Sequence, residues 1–433
     1  GEIAKETYEI SDMSLKDREN HFDIIVVGGG ASGLMAAALM AGSNKSVLVL
    51  EKMRQVGLKL RITGKGRCNL TNTFEKENFL SHCTNGKTHL RTAFSFFSNK
   101  DTISTFEKWG LPLMEERGQR VFPKSGKSID VFFTLLSRIE NSRNVHVVCN
   151  KGVERLLICE GRIAGVICQN QERFYANQVL VCCGGESYPA TGSDGDGIRI
   201  AANSGHKITD TMPALVGLRT RKAHPARLQN YTVKNVDVAI LNSSNDVVAK
   251  DFGDIYLDEY GLSGPAILRL NRKIVDRIYK GEKLFVSVDI KPKLSEVKLR
   301  REIVAVLNER MGQTTENVLR AWLPKELVED YKFWLKKRKE ECTRSKIRLT
   351  NVDFILEYLK HNRDEIIGDM GWYEAIVTKG GVDLSQIDCS TMQSKKVRGL
   401  FFAGEVLDFD GDTGGFNLQI AFSTAALAVK NMC

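Results

Sequence analysis

Residues 22–51 read FDIIVVGGGASGLMAAALMAGSNKSVLVLE, and this stretch decides the fold. Its first apolar run, Ile24–Val27, is rich in β-branched residues and too short for a helix, which predicts a buried parallel strand. A glycine-rich turn with the spacing G-x-G-x-x-G follows, and the small apolar residues Leu34–Ala41 predict a helix that packs on a sheet. A second strand is predicted over Val47–Leu50. The order strand, turn, helix, strand is typical of a dinucleotide-binding unit.

The three glycines of this turn have separate roles. Gly28 allows the tight turn, Gly30 lets the backbone approach a pyrophosphate, and Gly33 lets the helix pack closely on the strand. Glu51 follows the second strand, where a carboxylate can accept hydrogen bonds from a ribose. These features predict binding of an adenosine diphosphate group. A membrane span over the uncharged residues 24–41 is disfavoured, because glycines interrupt it and its flanks have no basic bias.

The composition is that of a soluble globular protein. Apolar residues make up 42% and charged residues 27% of the 433 residues, a length that predicts two or three domains. We expect a cytoplasmic location, because no basic segment followed by an apolar one begins the chain. The ten cysteines have no disulfide-framework spacing, as a reducing cytosol permits.

The sequence predicts no metal site. It contains no C-x-x-C and no pair of His four residues apart, which are the common ligand spacings. The acidic segment Asp408–Gly414 resembles a calcium loop, but it lacks the Glu that closes such a loop five residues later.

The chain up to about residue 205 alternates predicted strands and helices. Residues 59–72 are rich in glycine and short polar side chains, which predicts a loop at the carboxyl edge of the second strand, where ligands bind in doubly wound sheets. Beyond it we predict the helices Thr88–Trp109 and Ser125–Ile139, the short edge strand Arg120–Pro123, and the strands Val145–Val148, Val153–Cys159, Ile163–Cys168 and Val179–Cys183.

The middle of the chain differs from its two ends. Residues 206–290 contain several short strand patterns, which predict a small sheet or barrel, whereas residues 293–369 have helical periodicity. Strand patterns return at Gly371–Val377 and Gly399–Ala403, and a last helix is predicted over Leu418–Lys430. We interpret the middle as an insertion into one domain whose final strand and helix come from the end of the chain.

The net charge of +9 is unevenly distributed. From Lys291 to Leu349 there are 16 Lys and Arg against 9 Asp and Glu, a surplus of seven positive charges. Such a segment can bind nucleic acid, and it can also be the solvated face of a helical region. We favour the solvated face, so nucleic acid is the less favoured partner.

Four motifs together resemble one family. They are Ile62–Asn72 (ITGKGRCNLTN), Gly184–Gly197 (GGESYPATGSDGDG), Gly261–Ala266 (GLSGPA) and Thr391–Asp408 (TMQSKKVRGLFFAGEVLD). From Phe22 onwards the chain resembles the BaiN/YhiN-type FAD-dependent oxidoreductases, a group that also includes aminoacetone oxidases. The resemblance implies bound FAD and an α/β fold, in which a Rossmann-like FAD-binding domain carries an inserted β-barrel-like part and a helical part.

The resemblance also sets the expected domain bounds. We expect a polar leader over 1–21, an FAD-binding domain over 22–205 and 378–433, a barrel over 206–290 and 370–377, and a helical insert over 291–369. The oligomeric state is not predicted.

The chemistry of single residues indicates how a flavin would be held. Gly64 and Gly66 can place backbone flat along a ring, and Arg67 and Asn69 are donors that favour the negative charge of a reduced flavin. Glu405 can bind ribitol hydroxyls. The positions expected to contact FAD are Gly28, Gly30, Ala31, Ser32, Gly33, Glu51, Lys52, Lys59, Gly64, Gly66, Arg67, Cys68, Asn69, Val153, Gly184, Gly185, Gly404, Glu405, Asp408, Gly414, Gly415, Asn417 and Leu418.

The last of these positions surround a helix N-terminus. Gly414 and Gly415 would let that N-terminus approach the pyrimidine ring of the flavin, where its partial positive charge favours the reduced anion.

Five residues are candidates for catalysis: Arg67, Cys68, Asn69, Tyr188 and Glu259. Cys68 has no partner Cys nearby in sequence, so packing or flavin contact is favoured over a redox role. Glu259 occupies the place of a His that the family usually carries before Gly-x-Ser-Gly-Pro. A carboxyl of pKa about 4.3 thus replaces an imidazole of pKa about 6.5, which leaves the proton-transfer step open.

The predicted reaction is hydride transfer between flavin N5 and a small or medium organic substrate. It could be an NAD(P)H-linked reduction of a conjugated double bond or an amine oxidation that uses oxygen. No second G-x-G-x-x-G is present, so NAD(P)H would dock without a Rossmann domain of its own. The alternative from another class is a flavoprotein that binds RNA through the basic helical insert.

Overall fold

The computed structural model describes residues 20–222 and 224–433. The predicted polar leader, residues 1–21, falls almost entirely outside these residues. Up to residue 214 the elements are β1 (His21–Val27), α1 (Ala31–Met40), β2 (Val47–Leu50), α2 (Leu58–Gly66), β3 (Thr71–Asn72), α3 (Lys76–Ser81), β4 (Cys83–Thr84), α4 (Lys87–Phe96), α5 (Asn99–Lys108), β5 (Leu113–Glu116), β6 (Arg120–Pro123), α6 (Ser128–Glu140), β7 (Val145–Val148), β8 (Val153–Cys159), β9 (Arg162–Cys168), β10 (Arg173–Val181), α7 (Asp196–Asn203) and β11 (Ile208–Ala214).

The remaining elements belong to the middle and the end of the chain. The middle contains β12 (Leu218–Thr220), β13 (Thr232–Leu241), β14 (Val247–Asp258), β15 (Gly261–Ser263), α8 (Pro265–Tyr279), β16 (Phe285–Asp289), α9 (Glu296–Glu309), α10 (Thr315–Leu319), α11 (Lys325–Ser345), α12 (Asn351–Lys360) and β17 (Asn362–Asp369). The end contains β18 (Val377–Val382), β19 (Leu400–Phe402), β20 (Asp410–Gly411) and α13 (Phe416–Met432).

The chain divides into two compact units. The first comprises the described residues up to Thr211 together with Val377–Cys433, and the second comprises Met212–Ile376. The first unit thus contains both ends of the described chain, and the second is a single continuous insertion. This agrees with a Rossmann-like domain that carries an insert.

A seven-stranded sheet forms the centre of the first unit. Its parallel strands run in the order β7, β2, β1, β10, with β19 also parallel to β10, and β9 and β8 continue the sheet in antiparallel pairing. The apolar runs of β1 and β2 are fully buried, as strands covered on both faces must be. The helix α1 packs against α13, so the first and last helices of the domain share one core.

The segment 59–72 was wrongly predicted to be a loop throughout. α2 covers its first half, and Thr71–Asn72 pairs with β6 as a strand. The backbone leaves the helical region at Thr63, Gly64 and Lys65. The glycines therefore mark a short interruption between two ordered elements.

Two other local predictions need correction. Thr88–Trp109 is two helices, because Ser98 begins α5 with a capping box in which Ser98 and Asp101 exchange side-chain to backbone hydrogen bonds. Arg120–Pro123 is the central strand of the small sheet β3, β6, β5 and not an edge strand. Because β6 pairs with β5 on one side and with β3 on the other, it fixes the position of β3, the strand that follows α2.

The second unit contains a closed barrel, and a run of helices is inserted in the sequence between two of its strands. The strands close in the order β12, β15, β14, β13, β16, β17, and α9 to α12 occupy the sequence between β16 and β17. The helical prediction was wrong for Asn362–Asp369, which is the barrel strand β17. Its residues NRDEIIGD do not alternate between buried and exposed, so the pattern of a half-buried strand is missing. Gly371–Val377 was also wrongly predicted, because β18 begins only at Val377.

The first unit contains a buried histidine that should make its stability depend on pH. His206 Nε2 lies 2.6 Å from Ser394 Oγ, and burial lowers the pKa of the imidazole below its usual 6.5. The unfolded chain takes up a proton at this imidazole near pH 6.5, whereas the folded chain does not. The free energy of unfolding is therefore larger above that pH and decreases as the pH falls. We expect the urea midpoint to fall less between pH 7 and pH 5 in His206→Gln than in the wild type. Equal losses would contradict this assignment.

Among the described residues, no helix is both long and apolar enough to span a membrane. The uncharged stretch 24–41 is a strand, a turn and a ten-residue helix.

Candidate functional site

Four parallel strands end at one edge of the central sheet. Val27 of β1 is level with Leu50 of β2 and with Val181 of β10, and Val181 is level with Phe402 of β19. The segments that follow these four strands therefore begin side by side. In doubly wound sheets this carboxyl edge is where ligands bind.

The turn after β1 is shaped by backbone contacts. A Cβ at Gly33 would lie 1.9 Å from the Gly28 carbonyl oxygen, and a Cβ at Gly28 would lie 2.6 Å from the Cys182 carbonyl oxygen. A Cβ at Gly30 would meet nothing within 4 Å. Gly30 also precedes α1, whose N-terminus has no side-chain cap. Two glycines thus close the turn, and the third faces open space beside free helix N–H groups, which suits a phosphate.

Glu51 is held in a fixed orientation at the end of β2. Its Oε2 accepts a hydrogen bond from the Gly29 N–H at 2.8 Å, and its Oε1 accepts one from the Met53 N–H at 3.1 Å. Burial raises the pKa of the carboxyl, which the two backbone donors partly oppose. A carboxylate has about four lone-pair sites, so it can still accept hydroxyl donors.

Replacing Glu51 should weaken FAD binding. Glu51→Ala would leave ribose hydroxyls unpaired, which costs roughly 1–3 kcal/mol of binding free energy. The dissociation constant, measured by fluorescence titration of the FAD-free protein, should rise accordingly. Glu77→Ala, at an exposed ion pair with Arg91, is the matched control. If both variants bind FAD like the wild type, Glu51 is not the ribose partner.

The segment after α2 places Arg67 and Cys68 in opposite environments. The Arg67 guanidinium donates two hydrogen bonds to the Glu116 carboxylate and lies 4.3 Å from the Phe122 ring centroid. The Cys68 side chain is fully buried, and burial raises the pKa of its thiol to about 12. Cys68 is therefore protonated at neutral pH, which disfavours a redox role. Arg67 keeps further N–H groups for a ligand.

Asn69 ties this segment to the start of α13. With its amide oriented to satisfy both groups, Nδ2 donates to the carbonyls of Thr71 at 2.9 Å and Val121 at 3.1 Å, and the oxygen accepts from the Gly415 N–H at 3.1 Å. Asn72 Nδ2 donates to the Gly414 carbonyl at 3.0 Å. The two asparagines thus hold the segment after α2 against the helix N-terminus.

Gly415 has a structural role that the sequence did not reveal. Its φ is +85°, and a Cβ there would lie 2.3 Å from the Thr71 carbonyl oxygen. The glycine is required by contact with protein backbone as well as by its left-handed conformation.

A hydrogen-bond network surrounds Glu405 at the fourth strand end. Glu405 Oε2 accepts from Lys59 Nζ at 2.8 Å, and Oε1 accepts from the Thr378 N–H at 2.6 Å and from Ser187 Oγ at 3.1 Å. Lys59 Nζ also donates to Ser187 Oγ at 2.6 Å. Lys59 is committed to this carboxylate, so its charge orients Glu405.

Tyr188 follows this network directly. Its backbone is left-handed, with φ of 52°, which is rare for a bulky side chain and is often found at functional sites. Lys59 Nζ lies 5.9 Å from its ring centroid. The side chain is partly buried and lies in the segment after β10, three residues beyond Gly185.

Other predicted positions have mainly structural contacts. Asp408 accepts from Asn85 Nδ2 at 3.3 Å, and burial raises its pKa. Asn417 bonds both backbone groups of Gly411 and so closes the acidic turn before α13. Val153 is the buried first residue of β8. In the chain as described, no three His, Cys, Asp or Glu residues are grouped so that they could hold a metal ion.

Glu259 and Lys52 are two further predicted positions. Glu259 belongs to the second unit, in the turn between β14 and β15, where its N–H donates to Gln229 Oε1 at 2.7 Å. Lys52 is held by acidic residues of the segment after β10.

The sequence did not single out several residues that hold the site together. They are Glu116, Asn72, Ser187 and Thr378. Asn72 and Ser187 lie within two of the quoted motifs, but their roles arise from hydrogen bonds between segments far apart in sequence.

The site fits the FAD that the fold implies. The open space at Gly30 suits the pyrophosphate, and the oriented Glu51 suits the ribose. The uncapped N-termini of α1 and α13 supply N–H groups and positive dipole ends for the phosphates and the flavin.

Comparison with known proteins identifies relatives that are aligned over almost the whole chain. A 3-dehydro-bile acid delta(4,6)-reductase from Clostridium scindens is 30% identical, over 93% of this chain and 97% of that protein. A ribosomal RNA dihydrouridine synthase from Escherichia coli is 27% identical, over 95% and 98%. Among solved structures, the open conformation of a flavocytochrome c3 fumarate reductase has a TM-score of 0.50 at 18% identity, over 98% of this chain and 82% of that one, a likeness of fold alone.

The family model described as HI0933-like protein Rossmann domain matches residues 22–431. Because this match and the bile-acid reductase both span nearly the whole chain, the protein belongs to the HI0933-like family, the FAD-dependent oxidoreductases that its motifs indicate.

Proposed function

We propose that the protein reduces a carbon–carbon double bond conjugated with a carbonyl group, with FAD as hydride carrier and NAD(P)H as reductant. The observation that carries this proposal is that two relatives aligned over almost the whole chain are named for such chemistry. One reduces delta(4,6) bonds of a 3-dehydro-bile acid, and the other forms dihydrouridine, in which the ring double bond of uridine is saturated.

The reaction needs a hydride at one carbon and a proton at its neighbour. FAD supplies the hydride chemistry when bound, and the protein must bind the substrate and deliver the proton. We assign the proton to the Tyr188 hydroxyl, because this residue combines a left-handed backbone with a ring whose centroid lies 5.9 Å from Lys59 Nζ, at the fourth strand end. Arg67, fixed by Glu116 and Phe122, is suited to bind the substrate carbonyl.

Anaerobic stopped-flow spectroscopy tests the reaction type. The FAD-loaded protein should be bleached by NADH or NADPH, and a conjugated enone such as a 3-oxo-4-ene steroid should restore the oxidised spectrum without oxygen. Product analysis should show one double bond lost for each NAD(P)H oxidised. Bleaching by a primary amine, with reoxidation only by oxygen, would instead establish the amine oxidase.

A second candidate substrate is RNA. It is favoured by the alignment with the ribosomal RNA dihydrouridine synthase and by the basic residues of the second unit. Exposed basic side chains occur in the second half of α11 and directly after it, at Lys336, Lys339, Arg344, Lys346 and Arg348. Binding of ribosomal RNA that weakens steeply with salt, and that Lys336→Ala/Lys346→Ala/Arg348→Ala reduces, would support this substrate. Equal affinity of the triple variant would exclude this surface.

The redox state of the cysteines indicates the cellular compartment in which the protein works. All ten are free thiols, and half of them are buried. Free thiols are usual where glutathione keeps proteins reduced, so we propose that the protein works in the cytoplasm.

A further inference from the structure

Lys52 lies at the centre of an ion cluster. Its Nζ is 2.5 Å from Asp194 Oδ1 and 2.6 Å from Asp196 Oδ2. Arg199 Nη2 also donates to both carboxylates. We call Lys52, Asp194, Asp196 and Arg199 the ion cluster. It joins the residue directly after Glu51 to the segment that follows β10.

The segment that the cluster holds is a compact loop. Residues 186–194, which we call the strap, have their two flanks joined, because the Gly195 N–H donates to the Gly185 carbonyl at 3.1 Å. The strap lies against the segment that follows β2, since a Cβ at Gly192 would be 2.8 Å from Met53 Cγ and 3.4 Å from Lys52 Cε. It therefore covers the residues that directly follow Glu51.

The charges of the ion cluster act on Glu51, the residue expected to bind the ribose. Asp196 is near enough to Glu51 that its charge contributes to the raised pKa of that carboxyl. Lys52 offsets this by pairing with Asp196 and by favouring the charged form of Glu51. The cluster thus neutralises the acidic surroundings of Glu51 and holds the strap in place.

We propose that the ion cluster is a latch that holds the strap over the adenosine end of bound FAD, so that release of FAD requires the cluster to open. Lys52 and Asp194 are then positioning residues for the cofactor. The inference goes beyond the proposed reaction, because it concerns retention of FAD and applies whichever substrate the protein reduces.

The position of Lys52 sets the size of the effect. An isolated exposed ion pair contributes little, but networks of charges contribute more. Lys52 is 19% exposed and holds two carboxylates. We expect Lys52→Met to release FAD roughly 3- to 10-fold faster than the wild type at low salt. Because salt screens partly exposed charges, wild-type release should accelerate in high salt while release from Lys52→Met should change little.

The experiment follows FAD release from the loaded protein by the recovery of flavin fluorescence after dilution. Lys207→Met is the matched control, since Lys207 pairs with Asp383 at 3.5 Å on an exposed surface of the same unit. Asp194→Asn is the second test, because it keeps the Lys52–Asp196 pair and should give a smaller acceleration. It also replaces Lys52→Met if that variant fails to fold.

The outcomes are distinct. The latch is supported if release is faster and loses its salt dependence in Lys52→Met, is accelerated less in Asp194→Asn, and is unchanged in Lys207→Met. Release rates and salt dependence equal to the wild type in both cluster variants overturn it. No substrate is needed, so the result is independent of the proposed reduction.

Discussion

Gly30→Val is expected to weaken FAD binding strongly while leaving the FAD-free protein folded. The backbone at Gly30 has φ of −85°, which any residue can adopt, and a Cβ there meets no protein atom within 4 Å. The added side chain would instead fill the space before the α1 N-terminus, where a pyrophosphate is bound in this fold. Overpacking of this kind should lower FAD affinity by roughly 100-fold, about 3 kcal/mol.

Two measurements on the same variant test this expectation. The dissociation constant for FAD should rise roughly 100-fold, and thermal unfolding of the FAD-free protein should match the wild type. Gly33→Val is the matched contrast, because its Cβ would overlap the Gly28 carbonyl, and it should fail to fold. Retention of FAD by Gly30→Val at wild-type affinity would show that the pyrophosphate does not lie there.

The local part of this site could be predicted from the sequence because it depends on neighbours in the chain. The strand before Gly28, the helix after Gly33 and Glu51 after the second strand lie within thirty residues. Their periodicity and glycine spacing are local signals. The structure shows the same elements in the same order.

The parts that failed depend on contacts between distant segments. β17 has no alternating pattern, and its strand character arises from pairing with β12 and β16 in the closed barrel. In the same way, the sequence predicts that Gly415 adjoins the flavin, but it did not reveal that Gly415 also lies against the backbone of Thr71, far away in sequence. Gly415→Val would therefore disturb packing, and a change in flavin potential could not be read from it alone.

The hydrogen-bond network around Glu405 is another part of the site that could not be predicted from the sequence. The sequence indicated Glu405 as a partner of ribitol hydroxyls, but not that Lys59, Ser187 and Thr378 would donate to it. Three donors use most of the acceptor capacity of one carboxylate. Glu405 is thus held as a rigid anion with limited room for a further donor.

Tyr188→Phe is expected to slow the reduction of the substrate without affecting the reduction of FAD by NAD(P)H. These two half-reactions differ, because only the reduction of the substrate needs a proton delivered to a substrate carbon. Loss of a positioned acid lowers the rate of such a step by roughly 10²- to 10⁴-fold. The hydroxyl is the only atom removed, so the left-handed backbone and the contact of the ring with Lys59 should persist.

Glu259→Gln is the competing variant, because Glu259 is the other candidate acid and lies in the turn between β14 and β15. Stopped-flow measurements should separate flavin reduction by NAD(P)H from flavin reoxidation by the enone in both variants. We expect slow reoxidation in Tyr188→Phe and nearly normal reoxidation in Glu259→Gln. Since a phenylalanine cannot exchange a proton, the solvent isotope effect on reoxidation should also change in Tyr188→Phe. The reverse result would assign the proton to Glu259, and normal reoxidation in both variants would mean that neither residue delivers it.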